Sequence, residues 1–243
     1  MKDLLHYYLE LKNKYRTYDT KDALKRVQSL RYVVKEMADK GYSIAFEILG
    51  SINFGIVEPS SDADCILLHR CSLHSDQGEC PPQCSNLIFE QEEIVKILDR
   101  RLGKDTFRIE LLDNVNMNFI ERSIEVGNLL ENEYIYRFLF YRNIGRPVNR
   151  PLFIKYTHIL EENPTLMWRF VDWASEALEA YIKTERHRFS FAKYNERIMS
   201  RGLQLPFDLT EELKLYLEQG RSRDAIIESP IPNDEKADSA EGV

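Results

Sequence analysis

The chain contains no apolar run near the roughly 20 residues that a helix needs to cross a bilayer, so no membrane partner is expected. Glycine and proline are sparse, 10 and 9 among 243 residues and without a period, which excludes a collagen-like or low-complexity chain. Cysteine is scarcer still, and all four cysteines fall between positions 65 and 84, which excludes a disulfide framework spread through the fold. Positive charge is not in excess. With 33 basic and 40 acidic residues the net charge is -7, which weighs against a dedicated nucleic-acid binder, since phosphate backbones reward positive surface. Part of that excess sits late, with three basic against six acidic residues between Arg221 and Val243. With Pro230 and Pro232 in it, the stretch 221–243 reads as a disordered acidic tail. The opening Met1-Lys2-Asp3-Leu4 carries charge too early for a signal peptide, and a cytoplasmic location is the expectation.

What is present is an ordinary folding composition, 43% hydrophobic and 11% aromatic, in a chain long enough for one sizeable core or a compact domain with a smaller one. Leu4, Tyr8, Leu11 and Tyr15 recur at helical spacing, as do Leu24, Val27, Val34 and Met37, with Thr20 as a cap for the second helix and Gly41 as its stop. Three strands are expected, at 44–49, 64–68 and 107–111, with a polar cysteine-bearing loop at about 70–86 and a helix at 89–102 between the last two. Strands interleaved with helices argue for an α/β or α+β layer arrangement. From about Glu125 onward the pattern is helical, with Pro151 and Pro164 in first-turn positions and a last helix at 210–219 closing at Gly220. The segment 142–147 reads as a helix exit and turn.

The most informative stretch is Gly50-Ser51-Ile52-Asn53-Phe54-Gly55, followed by Ser61-Asp62-Ala63-Asp64. An apolar run leads into the Gly-Ser, and another leaves the second aspartate. Glycine lets backbone amides approach an anion where a Cβ would block them, and the Ser51 hydroxyl adds a donor. Asp62 and Asp64 stand two apart, so an extended backbone projects both to one face. Their mutual repulsion is relieved by a divalent cation, although the same pair also suits a solvated turn. In Phe107-Arg108-Ile109-Glu110-Leu111-Leu112-Asp113 the apolar residues alternate, which sets Glu110 mid-strand on the polar face. There it either completes a three-carboxylate cluster or pairs with Arg108 or another basic side chain. Asp113, at the expected strand end, is the alternative third carboxylate.

Gly50-Ser51, Gly55 and Ser61-Asp62-Ala63-Asp64 resemble the signature of the DNA-polymerase-beta-type nucleotidyltransferase superfamily, over about residues 44–113. The spacing is similar to that of terminal uridylyltransferases and many small bacterial nucleotidyltransferases. The resemblance implies a nucleotidyltransferase-type α/β (α+β) catalytic domain with a mixed sheet at 1–125, N-terminal helices included; the helical pattern beyond it reads as an all-helical domain at 126–220. It implies an enzyme that moves a nucleoside monophosphate from a nucleoside triphosphate, ATP being the commonest donor, to an acceptor hydroxyl with release of pyrophosphate. Asp62, Asp64 and Glu110 would hold two Mg²⁺ ions, and Gly50, Ser51, Asn53 and Ser61 would bind the nucleotide phosphates. The acceptor stays open between a small molecule, a protein and an RNA end. Two other readings stand beside it: a non-catalytic nucleotide-binding or regulatory module on the same fold, and a zinc-stabilised interaction protein.

The zinc reading rests on Cys71, His74, Cys80 and Cys84, three thiols and an imidazole that would satisfy tetrahedral zinc, although no paired Cys-x2-Cys is present. Cys65, inside the second strand, reads as a small buried residue. Tyr134, Tyr136, Arg137, Tyr141 and Arg142 are candidates to contact the base, against the plainer role of helix core. Arg186-His187-Arg188 and Lys193, with Phe189, Phe191 and Tyr194 between them, read either as a basic–aromatic track for nucleic acid or as an amphipathic helix end.

Overall fold

The computed structural model describes residues 3–219. The expected tail at 221–243 and the stop at Gly220 lie outside the described residues.

Two helices open the chain. Helix α1 (Leu4–Arg16) is capped by Asp3, which accepts from the His6 amide, and it buries Tyr8, Leu11 and Tyr15. Helix α2 (Lys21–Asp39) is capped by Thr20, as its sequence suggests. The buried stripe of α2 runs Ala23, Val27, Leu30, Val34, Met37, so Leu24, expected inside, is half exposed and Ala23 takes its place.

Strand β1 (Ala45–Ile48) leads into the five-residue helix α3 (Gly50–Phe54), and strand β2 (Ala63–His69) follows. Helix α4 (Ser85–Leu102) then carries the chain over to strand β3 (Ile109–Asn116), which pairs in parallel with β2. Helices α5 (Met117–Glu125) and α6 (Glu133–Ile144) precede a short strand β4 (Arg146–Val148), where the sequence suggests only a turn. β4 pairs antiparallel with β1 at the sheet edge, the position that tolerates Pro147. A 3₁₀ turn at Arg150–Phe153 absorbs Pro151, and helices α7 (Ile154–Glu161), α8 (Pro164–Lys183), α9 (Glu185–Ser200) and α10 (Phe207–Gln219) follow.

The result is a mixed α/β structure around a four-stranded mixed sheet of order β3-β2-β1-β4, with β1 antiparallel to both of its neighbours. Period-two alternation divides the interior. Ala63, Cys65 and Leu67 face a core built with α2 and α4. Ile66 and Leu68 face a larger core built from α1 and from helices of the second half of the chain. Both the sheet, through β4, and the larger core, through α1, therefore cross the boundary expected near 125. A buried ion pair ties the halves together: Arg142 Nη1 donates to Glu47 Oε1 at 2.6 Å, with the two side chains 1% and 0% exposed. No helix among the described residues is long and apolar enough to cross a membrane.

Candidate functional site

The site grows from the junction of β1 and α3. Gly50 follows β1 with a left-handed φ of 57°, and a Cβ there would lie 2.0 Å from Asp64 Oδ2. Only glycine accepts both the dihedral and the carboxylate against it. The Leu49 amide donates to the Asp64 carbonyl at 2.8 Å, locking the turn to the start of β2.

Asp64 is the register partner of Glu110 across the parallel β2–β3 pair. Register partners project to one face, and Asp62, two residues from Asp64, shares it. This is the face of Ile66 and Leu68, toward α1 and the later helices.

β3 continues past the expected end at Leu111 to Asn116, and it is irregular. Cys65 pairs with Leu111 but Ile66 pairs with Asp113, so Leu112 is an extra residue in a bulge. Simple alternation sets Asp113 opposite Glu110; the bulge returns it to the same face. There it is engaged by Arg137 Nη2 at 2.5 Å and by the Tyr141 hydroxyl. Glu110, by contrast, lines the pocket described next.

Gly50, Ser51, Ser61, Asp62, Asp64 and Glu110 line one cavity of about 530 Å³. Its other side comes from α8 and α9, through Tyr181, Arg186, Lys193 and Arg197. Arg197 is partly spent on Glu58 and on the Ile56 carbonyl. Asp62, Asp64 and Glu110 make no side-chain hydrogen bond or ion pair with another described residue, and neither Arg186 nor Lys193 forms an ion pair with one. Burial raises the pKa of Asp64; Arg186 opposes this, while Glu110 and Asp62 add to it. The three carboxylates are spread more widely than 4.8 Å. The one trio of His, Cys, Asp or Glu ligand atoms drawn within that distance among the described residues is the thiols of Cys71, Cys80 and Cys84.

Other residues singled out from the sequence divide between the pocket wall and the interior. Asn53, expected at the phosphates, is wholly buried and its amide is committed: Nδ2 donates to the Ile144 carbonyl at 2.7 Å and to the Tyr8 hydroxyl, and Oδ1 accepts from Arg16. It fastens α3 to α1 and α6. Ser61 Oγ accepts from the Glu58 amide at 3.0 Å and stays on the pocket wall. Of the five residues considered for base contact, only Tyr141 lines the pocket. Tyr136 bonds the Leu130 carbonyl, Arg137 bonds Asp113 and Glu79, Arg142 pairs with Glu47, and Tyr134 lies under Arg137.

The basic segment at 186–193 is the site component whose role the sequence left open. Arg186 and Lys193 line the same pocket as the carboxylates, and Phe191 and Tyr194, buried in the larger core, line it as well. The sequence signal was present as a basic–aromatic helix end; its position opposite Asp64 is a product of tertiary packing.

The expected four-ligand set of the cysteine loop is reduced. Cys71, Cys80 and Cys84 come together as free, buried thiols, and His74 is not among the group. His69 is buried on the loop's inner side, bonded to Glu90 at 2.6 Å and to Asn114. Cys65 is fully buried in β2, as its sequence context suggests.

No protein-family model, curated protein or solved structure matches the chain.

Proposed function

We propose that the chain is a metal-dependent nucleotidyltransferase of the DNA-polymerase-beta type, transferring a nucleoside monophosphate from a nucleoside triphosphate to an acceptor hydroxyl with release of pyrophosphate. The observation that carries this reading is the partnership of Asp64 with Glu110, beside Asp62, on the wall of a pocket whose facing side bears Arg186 and Lys193.

The donor set fits magnesium. Three carboxylates offer only oxygen ligands, which hard cations prefer. None of them is neutralised by an ion pair to a described residue, and the raised pKa of Asp64 marks a carboxylate that a nearby cation would relieve. The three carboxylates are not drawn within 4.8 Å of one another, so bound ions would have to bring them together. Asp62 and Asp64 would hold both ions, and Glu110 the one nearer the acceptor. When bound, the ions neutralise the triphosphate and the leaving pyrophosphate and lower the pKa of the acceptor hydroxyl.

The chain's own residues supply the rest. Gly50 keeps Asp64 seated and leaves backbone exposed to the phosphates, and the Ser51 hydroxyl donates to them. Arg186 and Lys193 offset the phosphate charge from the opposite side. Tyr181, half exposed on the pocket wall, offers a ring face to the base. Glu110 accepts the acceptor's proton as its oxygen attacks the α-phosphorus in line with the departing pyrophosphate. Little covalent work falls to the protein; orientation and charge account for the rate.

The test is transfer of label from α-labelled triphosphates to a pool of small-molecule, protein and RNA acceptors. Wild type should transfer, and Asp62→Asn/Asp64→Asn, folded by circular dichroism, should not. Folded wild type that turns over no triphosphate with any acceptor would leave the non-catalytic binding module as the better account.

A further inference from the structure

We propose that Cys71, Cys80 and Cys84 form a three-thiolate zinc site that fixes the crossing from β2 to α4, with His74 not a ligand. The site stands apart from the proposed transfer chemistry. Its thiols belong to the core on the α2/α4 face of the sheet, whereas the carboxylates project to the other face.

The geometry is that of a metal site. All three Sγ atoms lie within 4.8 Å of one another, and Cys71 Sγ and Cys84 Sγ are 3.7 Å apart. Two thiolates bound to one tetrahedral zinc at about 2.3 Å stand roughly 3.8 Å apart, so this pair already spans a tetrahedral edge. A disulfide brings its sulfurs to about 2.05 Å and would leave the third thiol over. An iron–sulfur cluster of the common kind takes four cysteines, and the fourth, Cys65, sits outside the group.

The segment between β2 and α4 contains neither helix nor strand, yet all three cysteines in it are buried. The backbones of two of them, Cys71 and Cys80, are gripped by two asparagines on β3. Asn116 accepts from the Cys71 amide at 3.1 Å and donates to the Cys71 carbonyl at 3.0 Å; Asn114 does the same for Cys80 at 2.7 and 3.0 Å. Asn114 also touches His69, which leans on Glu90. Such an outer layer of hydrogen bonds orients ligands before the ion arrives. Cys84 is the N-terminal cap of α4, so the third thiol is carried on the first turn of that helix.

Thiolates select soft or borderline ions, of which zinc needs no redox partner. Binding displaces three thiol protons to solvent and forms three Zn–S bonds, leaving a unit of net charge -1 whose fourth position takes water.

Metal analysis of full-length protein, purified reduced in zinc-replete buffer without chelator, should find one zinc per chain. Cobalt(II) put in its place should show thiolate-to-cobalt charge-transfer absorption. Cys80→Ser should lose most of the zinc, whereas His74→Ala and Cys65→Ser should retain it in full. Should Cys80→Ser fail to fold, thiol titration of wild type decides: chelation should raise the number of reactive thiols by three, with buried Cys65 unreactive before and after. The proposal is overturned by zinc far below one equivalent in wild type, by copper or iron in its place, by full retention in folded Cys80→Ser, or by loss in His74→Ala.

Discussion

Gly50 and Asp64 occupy what would be one volume: a Cβ on the glycine would stand 2.0 Å from the aspartate's Oδ2. The turn after β1 and the acidic start of β2 are thus a single unit, and the glycine is required by the carboxylate as much as by its own φ of 57°.

Gly50→Ala should therefore act on both. The left-handed backbone costs about 1–2 kcal/mol with a Cβ present, readable in urea denaturation. Displacing Asp64 by about an ångström should lower kcat of nucleotidyl transfer by roughly 10²-fold. An alanine variant with unchanged kcat would separate Asp64 from the chemistry.

Glu110 and Asp113 are separable by substitution. Glu110→Gln should reduce kcat by about 10²–10⁴-fold, as removal of a general base does, while folding normally. Asp113→Asn loses charge against Arg137 and Tyr141 but leaves the pocket carboxylates in place, and should keep transfer within a few-fold of wild type. The reverse pattern would make Asp113 the third carboxylate.

That distinction marks the limit of reading this chain as a sequence. Alternation carried Asp62, Asp64 and Glu110 to one face, because a period of two needs only the sequence. The extra residue at Leu112 has no sequence mark, and it alone decides which way Asp113 points. β4 was illegible for a similar reason: three residues with a proline read as a turn until β1 supplies the partner. Asn53 sat within the Gly50–Gly55 stretch, but its place follows from Arg16 and Ile144, far away in the chain. Arg186 and Lys193 were visible as charges, whereas their address opposite Asp64 depends on how α8 and α9 fold back. Cysteine spacing named the three thiols that the fold brings together and could not tell that the His74 side chain lies outside their group.

Burial pushes the His187 pKa down from its usual 6.5 to about 4, with the ring bonded to the Tyr216 hydroxyl at 3.0 Å. Between those values the unfolded chain binds a proton that the folded chain refuses, so stability is lost as pH falls from about 6.5 toward 4. At about 1.4 kcal/mol per unit the loss from this group is on the order of 3 kcal/mol. Unfolding free energies measured from pH 7 to 4 should show a shallower acid slope for His187→Gln than for wild type. Equal slopes would show that the fold does not lower the His187 pKa.

Arg142 and Glu47 make a buried pair, and each alone is a liability. Arg142→Ala should lower stability by about 3–5 kcal/mol, because Glu47, whose pKa burial already pushes up to about 7, is left inside the sheet without its partner. Glu47→Met/Arg142→Leu should recover most of that loss in denaturant titration. A double variant as unstable as the single one would assign the loss to packing.

The central claim is that Asp62 and Asp64, with Glu110 and facing Arg186 and Lys193, form a metal-dependent triphosphate site. Calorimetric titration with a non-hydrolysable nucleoside triphosphate, with and without Mg²⁺, tests it most directly. Wild type should bind one triphosphate when Mg²⁺ is present and at least tenfold more weakly without it, and Asp62→Asn/Asp64→Asn should lose the Mg²⁺ dependence. Binding that is absent in wild type, or equal with and without Mg²⁺, would contradict the account.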